Sequence, residues 1–414
     1  MINIFTIIII FALLLEFVLD TVANALNLKS LRTDLPPTLE EVYKPEEYRN
    51  SQEYNRSRIR FRFVISMFSL CLILSFWFAG GFNYLDQFVR TWGFPHIVNG
   101  LIYIGILGIS YSLLMIPFSV YATFVIEERF GFNRTTPRIF IMDIFKGLIL
   151  AVILGAPLLA GILALFEYAG SYAWLYCWIA VSIFAVFLNF IAPVWIMPLF
   201  NKFTPMQAGE LKDSILKYAR SVGYDISNVF VMDGSKRSTK SNAFFTGFGH
   251  TKRVALFDTL IEKHTVPEMV AILAHEVGHF KKKHILKGVV ISVLHLGLVF
   301  FLLSVVVGSP GLYQAFYMEQ QPLYAGLVFF SLLYTPIELL LSIVLLAVSR
   351  KNEYMADRFA AQTTGEPGSV VDALKKLYAN NFSNLTPHPF YVWLNYSHPT
   401  LLQRVGAIKE YKNG

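Results

Sequence analysis

The chain has 414 residues, 55% of them hydrophobic and only 15% charged, with a mean hydropathy of +0.51. That composition excludes an ordinary soluble globular protein of this size and points to an integral membrane protein. A formal net charge of +7 would suit a nucleic-acid binder, but 34 of the 35 Lys and Arg residues fall in alternate segments between long apolar runs, so no nucleic acid is expected.

Seven runs are long and apolar enough to span a bilayer, which takes about 20 residues at ~1.5 Å rise each. They lie at 3–25, 63–82, 99–126, 147–166, 173–196, 288–308 and 324–349. The first opens with "MINIFTIIIIFALLLEFVL". It lacks a basic start and a small-x-small cleavage site, so it is read as a retained helix and not a signal peptide. Cys71 and Cys177 both sit inside apolar runs, which indicates neither a disulfide framework nor a thiolate metal site.

Between the runs, Lys and Arg number 8 in 27–62, 1 in 83–98, 4 in 127–146, none in 167–172, 14 in 197–287, none in 309–323 and 8 after 349. By the positive-inside rule the rich segments are cytoplasmic, which leaves the N-terminus outside or lumenal and the C-terminus inside.

Segment 27–62 carries charge of both signs and is expected to be an ordered loop with helical pieces. Residues 197–287 form the largest polar block. Within it, Leu211, Ile215, Tyr218 and Val222 share one helical face. "NVFVMDG" and "KRVALFDTLI" read as short strands flanking "SKRSTKSNAFFTGFGH", whose glycines and polar residues suit turns. The expected architecture is mainly α and multi-pass. Residues 1–196 hold helices one to five, 197–287 a first part of a small α+β domain, 288–349 helices six and seven, and 350–414 the rest of that domain.

The chemistry concentrates in "AILAHEVGHFKKKH" at 271–284. Thr265 with Glu268 three residues later forms a capping box, and Pro267 is tolerated in a first turn, so a helix is expected from Met269 onward. His275 and His279 then lie about 40° apart on one face, with Glu276 beside them. Two neutral histidines in that relation can hold Zn²⁺, and the glutamate can take a proton from a water that the metal acidifies.

A metzincin would place a glycine and a third histidine where this sequence has Lys282 and Ile285, so that class is excluded. His284 would point about 140° away from His279 on an ideal helix and is assigned a supporting role. The remaining source of a third ligand is "SRKNEYMADRFAAQTTG", with Glu353 and Asp357 one turn apart. One carboxylate can face the metal and the other can hydrogen-bond a ligating histidine. An intramembrane protease of the site-2 type would bury its motif within a span. Here three lysines follow the motif directly.

The blocks "YATFVIEERFGFNRTTP", "PLFNKFTP", "DGSKRSTKSNAFFTGFG", "HEVGHFKKKH", "NEYMADRFA" and "SHPTLLQR" resemble, in order, those of the type 1 CAAX prenyl protease family of integral-membrane zinc endopeptidases. The resemblance implies one Zn²⁺ per chain on His275, His279 and Glu353, with Glu276 as general base. It also implies that Asn242 lies on a strand binding the substrate backbone, and that His398 and Arg404 stand at the active site. Asp357 is left to support a ligand. It further implies seven helices around a water-filled chamber, with the zinc domain closing the cytoplasmic end.

Elementary chemistry agrees with several of these roles. A histidine such as His398 can donate to a developing oxyanion, and Arg404 can fix a peptide carboxylate or a nearby acid. Glu16, Asp20, His295 and Glu338 lie in or at the ends of apolar runs, where ionisable groups face a cavity or a partner.

The expected activity is hydrolysis near the C-terminus of prenylated CAAX-type or other membrane-associated peptides, with peptide substrate and membrane lipid as partners. Two other readings compete: a heat-shock-type protease of misfolded membrane proteins, and a non-catalytic transporter or scaffold. An intact base and ligand set argues against the latter.

Overall fold

Every apolar run becomes a helix in the computed structural model, which describes residues 3–413 apart from 33, 36–39, 41–42, 227 and 247–252. The seven helices are Ile4–Ser30, Pro45–Phe78, His96–Glu127, Pro137–Tyr168, Gly170–Phe200, His284–Val306 and Leu323–Thr364. Each packs on its neighbour in sequence along the first five, the fifth packs on the sixth, the sixth on the seventh and the seventh on the first, which closes a ring. No more than 17% of any helix's most apolar window is buried inside the protein. A close-packed bundle would bury a continuous stripe on each helix. Here most of each stretch is left unburied, and the seventh helix also packs on the third and fourth.

Two helices outrun their apolar cores. The second starts at Pro45, with Glu46 and Glu47 in its first turn, and meets no helix breaker before it ends, so half of the expected polar loop is continuous with the span. The seventh runs 42 residues, out of the apolar zone and on to Thr364. The third, fourth and fifth contain π-helical segments at Ala122–Glu127, Ala151–Gly155 and Ala192–Ile196. A proline stands in or near each of them, Pro117, Pro157 and Pro193. Its missing N–H lets the hydrogen-bond ladder slip by one residue.

The ionisable groups of the spans have surroundings of the expected kind. Glu16 and Asp20 line a cavity of about 570 Å³ with Arg62, Ser66 and Ser69 of the second helix. His295 Nε2 lies 3.0 Å from Glu338 Oε2 and 3.0 Å from the Tyr334 hydroxyl, joining the sixth helix to the seventh.

The polar block folds as a four-stranded sheet with helices against it. The strands are β1 (Phe203–Pro205), β2 (Asn228–Met232), β3 (Ala243–Thr246) and β4 (Arg253–Phe257), in the order β1-β2-β4-β3. β2 and β4 run parallel; the outer pairs are antiparallel. The expected second strand stops at Phe257, because Asp258 turns the chain into helix Asp258–Lys263, its Oδ1 accepting the Thr259 N–H at 2.8 Å. Part of the segment expected as turns is instead β3, an edge of the sheet; the expected glycine turn at 247–250 lies outside the described residues. The helix Glu210–Ser221 buries Ile215 and Tyr218 as its periodicity predicts, in one core with Val254, Leu256, Met269, Leu273 and Val277.

Candidate metal centre

Thr265 caps the motif helix Val266–Lys281, and the capping box forms as predicted, with the Thr265 N–H donating to Glu268 Oε2 at 3.1 Å. Glu268 also accepts from Lys376 Nζ and contacts His264, so the cap is tied to the helix Pro367–Asn380. The motif helix packs along the far end of the seventh-span helix. Gly278 makes that approach possible. A Cβ there would stand 3.1 Å from the backbone of Ala356 and 3.2 Å from Phe359 Cβ. The motif leaves the residue at 278 open, and the small Ala356 of "YMADR" opposite Gly278 was the available sequence signal for this approach.

That crossing brings three candidate ligands together. His275 Nε2 and His279 Nε2 are 3.1 Å apart. Glu353 Oε1 is 3.2 Å from His279 Nε2, and Glu353 Oε2 is 3.4 Å from His275 Nε2. The donor atoms of these three residues all lie within 4.8 Å of one another. Glu353 is 4% exposed, and its Oε2 is buried without a hydrogen-bond partner. The buried carboxylate sets one oxygen against each imidazole nitrogen, its Oε2 also 3.5 Å from Arg404 Nη2, and two histidines with one carboxylate are a fitting donor set for a tetrahedral divalent ion. The residues present therefore fit a metal.

Around the three donors stands a second group of contacts. Asp357 Oδ1 lies 2.9 Å from His275 Nδ1 and accepts from Arg404 Nη2 at 2.6 Å, while Arg404 Nε donates to Asp357 Oδ2 at 2.8 Å. Arg404 is 5% exposed and, of its two expected partners, meets the nearby acid, with Nη2 also 3.5 Å from Glu353 Oε2. Burial pulls its guanidinium down, Asp357 pulls it up, and the net is a group held above its usual value.

His284 departs from the ideal-helix expectation. The motif helix ends at Lys281, Lys283 takes a left-handed φ of 58°, and the sixth span restarts at His284. The fold-back sets His284 Nδ1 3.1 Å from His279 Nδ1, so the rings of both His275 and His279 are also contacted at Nδ1.

Glu276 and His398 face the same space. Both line a cavity of about 870 Å³ with His275, His279, His284, Glu353 and Tyr224. The rest of its lining is mostly apolar: Ala185, Leu188, Ala192 and Pro193 of the fifth span, including part of its π segment, with the polar Asn189 among them, and Ile285 and Val289 of the sixth. Burial pushes the Glu276 carboxyl above the usual carboxylate range, with the two histidines pulling against it. Tyr224 is pushed up to about 12 by burial and by the Glu276 charge. His398 Nε2 lies 3.4 Å from Glu353 Oε1. Asn242 is not among the residues lining this cavity. It is exposed, immediately ahead of β3, where its carbonyl accepts the Phe257 N–H at 3.2 Å and its Oδ1 the Ala243 N–H at 2.9 Å.

Two family models cover nearly the whole chain: "CAAX prenyl protease N-terminal, five membrane helices" over residues 24–202, and "Peptidase family M48" over 205–412. The chain is 35% identical to CAAX prenyl protease 1 of Saccharomyces cerevisiae, across 92% of this chain and 89% of that one. It is 35% identical to the Arabidopsis thaliana CAAX prenyl protease 1 homolog, across 96% and 95%. The crystal structure of S. mikatae Ste24p superposes with a TM-score of 0.93 at 33% identity, covering 99% of this chain and 100% of that one.

Proposed function

Because the chain belongs to peptidase family M48 and carries the CAAX prenyl protease N-terminal region, we propose that it cleaves near the C-terminus of prenylated CAAX-type or other membrane-associated peptides, using one Zn²⁺. It is a membrane-embedded metalloendopeptidase. The observation that carries the substrate reading is the cavity itself. His275, Glu276, His279 and Glu353 open onto a space whose opposite wall is made of fifth- and sixth-span residues. A peptide bond needs only the polar wall; an attached lipid needs the apolar one.

In this reading His275, His279 and Glu353 hold the zinc, which supplies Lewis acidity and lowers the pKa of water to about 7. Glu276 takes the water's proton and passes it toward the leaving amine. Burial raises its affinity for a proton, the direction such an exchange needs. His398 donates to the oxyanion that develops on the scissile carbonyl. Asp357 holds His275 in one tautomer, Arg404 holds Asp357, and His284 holds His279. The edge of β3 at Asn242 receives the substrate backbone as an added strand. The peptidase is thus built from 197–287 and 350–414, with spans six and seven between them.

Mass-spectrometric mapping of cleavage on a farnesylated C-terminal peptide beside its unlipidated twin tests this. Preferred cleavage of the farnesylated peptide near its C-terminus is expected; equal internal cleavage of both points to a quality-control protease instead. For orientation, the 34-to-1 distribution of basic residues supports a cytoplasmic zinc domain. A cysteine introduced by Asn50→Cys is expected to resist impermeant labelling from the outer or lumenal side, and labelling there overturns the orientation.

A further inference from the structure

We propose that Lys240 and Arg237 are positioning residues that fix edge strand β3, and with it the bound peptide, by locking the connection 233–242 to the second, third and fourth spans. This rests on the reading of β3 as the substrate-binding edge.

The connection enters β3 directly, with Lys240 only three residues ahead of Ala243. It is held to the membrane ring at two points. Arg237 grips Asp143 of the fourth span with both arms of its guanidinium, Nε to Oδ2 at 2.7 Å and Nη2 to Oδ1 at 2.9 Å. Lys240 Nζ donates to Glu127 Oε2 at 2.6 Å and to the Tyr54 hydroxyl at 2.6 Å, while that hydroxyl donates to Glu127 Oε1 at 2.5 Å. Glu127 ends the π segment of the third span, and Tyr54, which is 0% exposed, belongs to the second. The ammonium also lies 4.6 Å from the Phe132 ring centre, within reach of a cation–π contact.

The backbone between the two anchors is paired as well. Asn133 and Ser238 form an isolated antiparallel bridge, the Arg134 N–H donates to the Arg237 carbonyl at 3.0 Å, and the Thr239 N–H donates to the Phe132 carbonyl at 3.1 Å. Nearer the strand, Ser241 and Asn381 exchange two hydrogen bonds of 3.0 and 3.1 Å. A substrate-receiving edge gains from such fixation, because a loosely held strand loses the register on which strand addition depends. The partners of Arg237 and Lys240, which are Asp143, Glu127 and Tyr54, stand on the spans, so the geometry couples the ring to the peptide-binding edge.

The test is steady-state kinetics on a fluorogenic farnesylated CAAX peptide, with zinc content and thermal melting measured on each variant. Lys240→Met keeps the stem and removes the charge. It is expected to raise KM about tenfold, since a strand that loses its register binds substrate and transition state equally less well, with kcat and zinc content unchanged. Lys240→Arg is expected to restore most of the wild-type KM. Arg237→Lys loses the two-armed grip and is expected to raise KM without touching zinc; it carries the test if Lys240→Met does not fold. An unchanged KM in these variants overturns the proposal, as does a joint fall of kcat, zinc and melting temperature, which marks a merely structural role. Asn242→Ala separates the premise. If it leaves KM unchanged while Lys240→Met raises it, β3 is not the substrate edge, and the positioning role falls with it.

Discussion

Beside its own buried clusters, the membrane ring leaves exposed many apolar side chains of a kind that the peptidase buries. Phe145, Ile153 and Leu294 of the ring are 57, 61 and 62% exposed, whereas Met269, Leu273, Val277 and Leu256 of the peptidase are 1, 1, 0 and 2% exposed. The residues are alike and the surroundings differ. Lipid tails are as apolar as leucine, so a ring helix gains nothing from hiding such a side chain, and the ring holds together by ring stacking, close helix approach and polar contacts. Trp77 on Phe316 and the Tyr324 hydroxyl bonded to Asp86 are examples. The peptidase faces water and must exclude it. What this teaches is that hydrophobicity marks where the ring is, while burial marks what the peptidase depends on.

The comparison predicts where damage is greatest. Glu276→Gln is expected to cut turnover by about 10²–10⁴-fold, because the amide cannot take the water's proton. Zinc content and melting temperature should stay at wild type, so that chemistry alone is lost. Retained turnover would remove Glu276 as the base.

Arg404→Met should come next. It leaves Asp357, 2% exposed, without its ion pair, a loss of about 3–5 kcal/mol. Through the loosened His275, metal retention against a chelator should weaken by about 10–100-fold. Unaltered melting and metal retention would show that Asp357 does not need the arginine.

One leucine truncation made in each region sharpens the contrast. Leu273→Ala in the peptidase core should cost about 2–5 kcal/mol, read as a lowered melting temperature in detergent. Leu294→Ala on the sixth span should cost less than about 0.5 kcal/mol, as for an exposed position away from any special contact. Equal costs at the two sites would abolish the distinction drawn here and imply a ring packed as tightly as the peptidase.

The seven spans, the motif helix and its cap were legible because each is local. An apolar run of sufficient length, an i and i+4 histidine pair, and a Thr265–Glu268 capping box need no knowledge of the rest of the chain. β3 was not legible from pattern, since "AFFT" is too short to show a strand's alternation and sits among turn-forming residues. The start of the second helix at Pro45 was hidden for a different reason. Charged residues of both signs look like a loop, yet they are good helix formers when no glycine or proline interrupts them.

From the sequence by itself came the class of chemistry and the membrane setting: two histidines and a glutamate on one helix face, and apolar runs separated by basic segments. Only the tertiary structure decided how the remaining groups divide. Glu353 and Asp357 are one helical turn apart and equally plausible in sequence. The crossing at Gly278 turns Glu353 toward both Nε2 atoms and leaves Asp357 at His275 Nδ1, where Arg404 closes on it. Likewise His284 reaches His279 only because the chain breaks its helix at Lys283 and folds back. Periodicity orders neighbours along one element; which atoms of two distant elements meet depends on how closely and at what angle those elements pack, and that is set by side-chain volume across the whole interface.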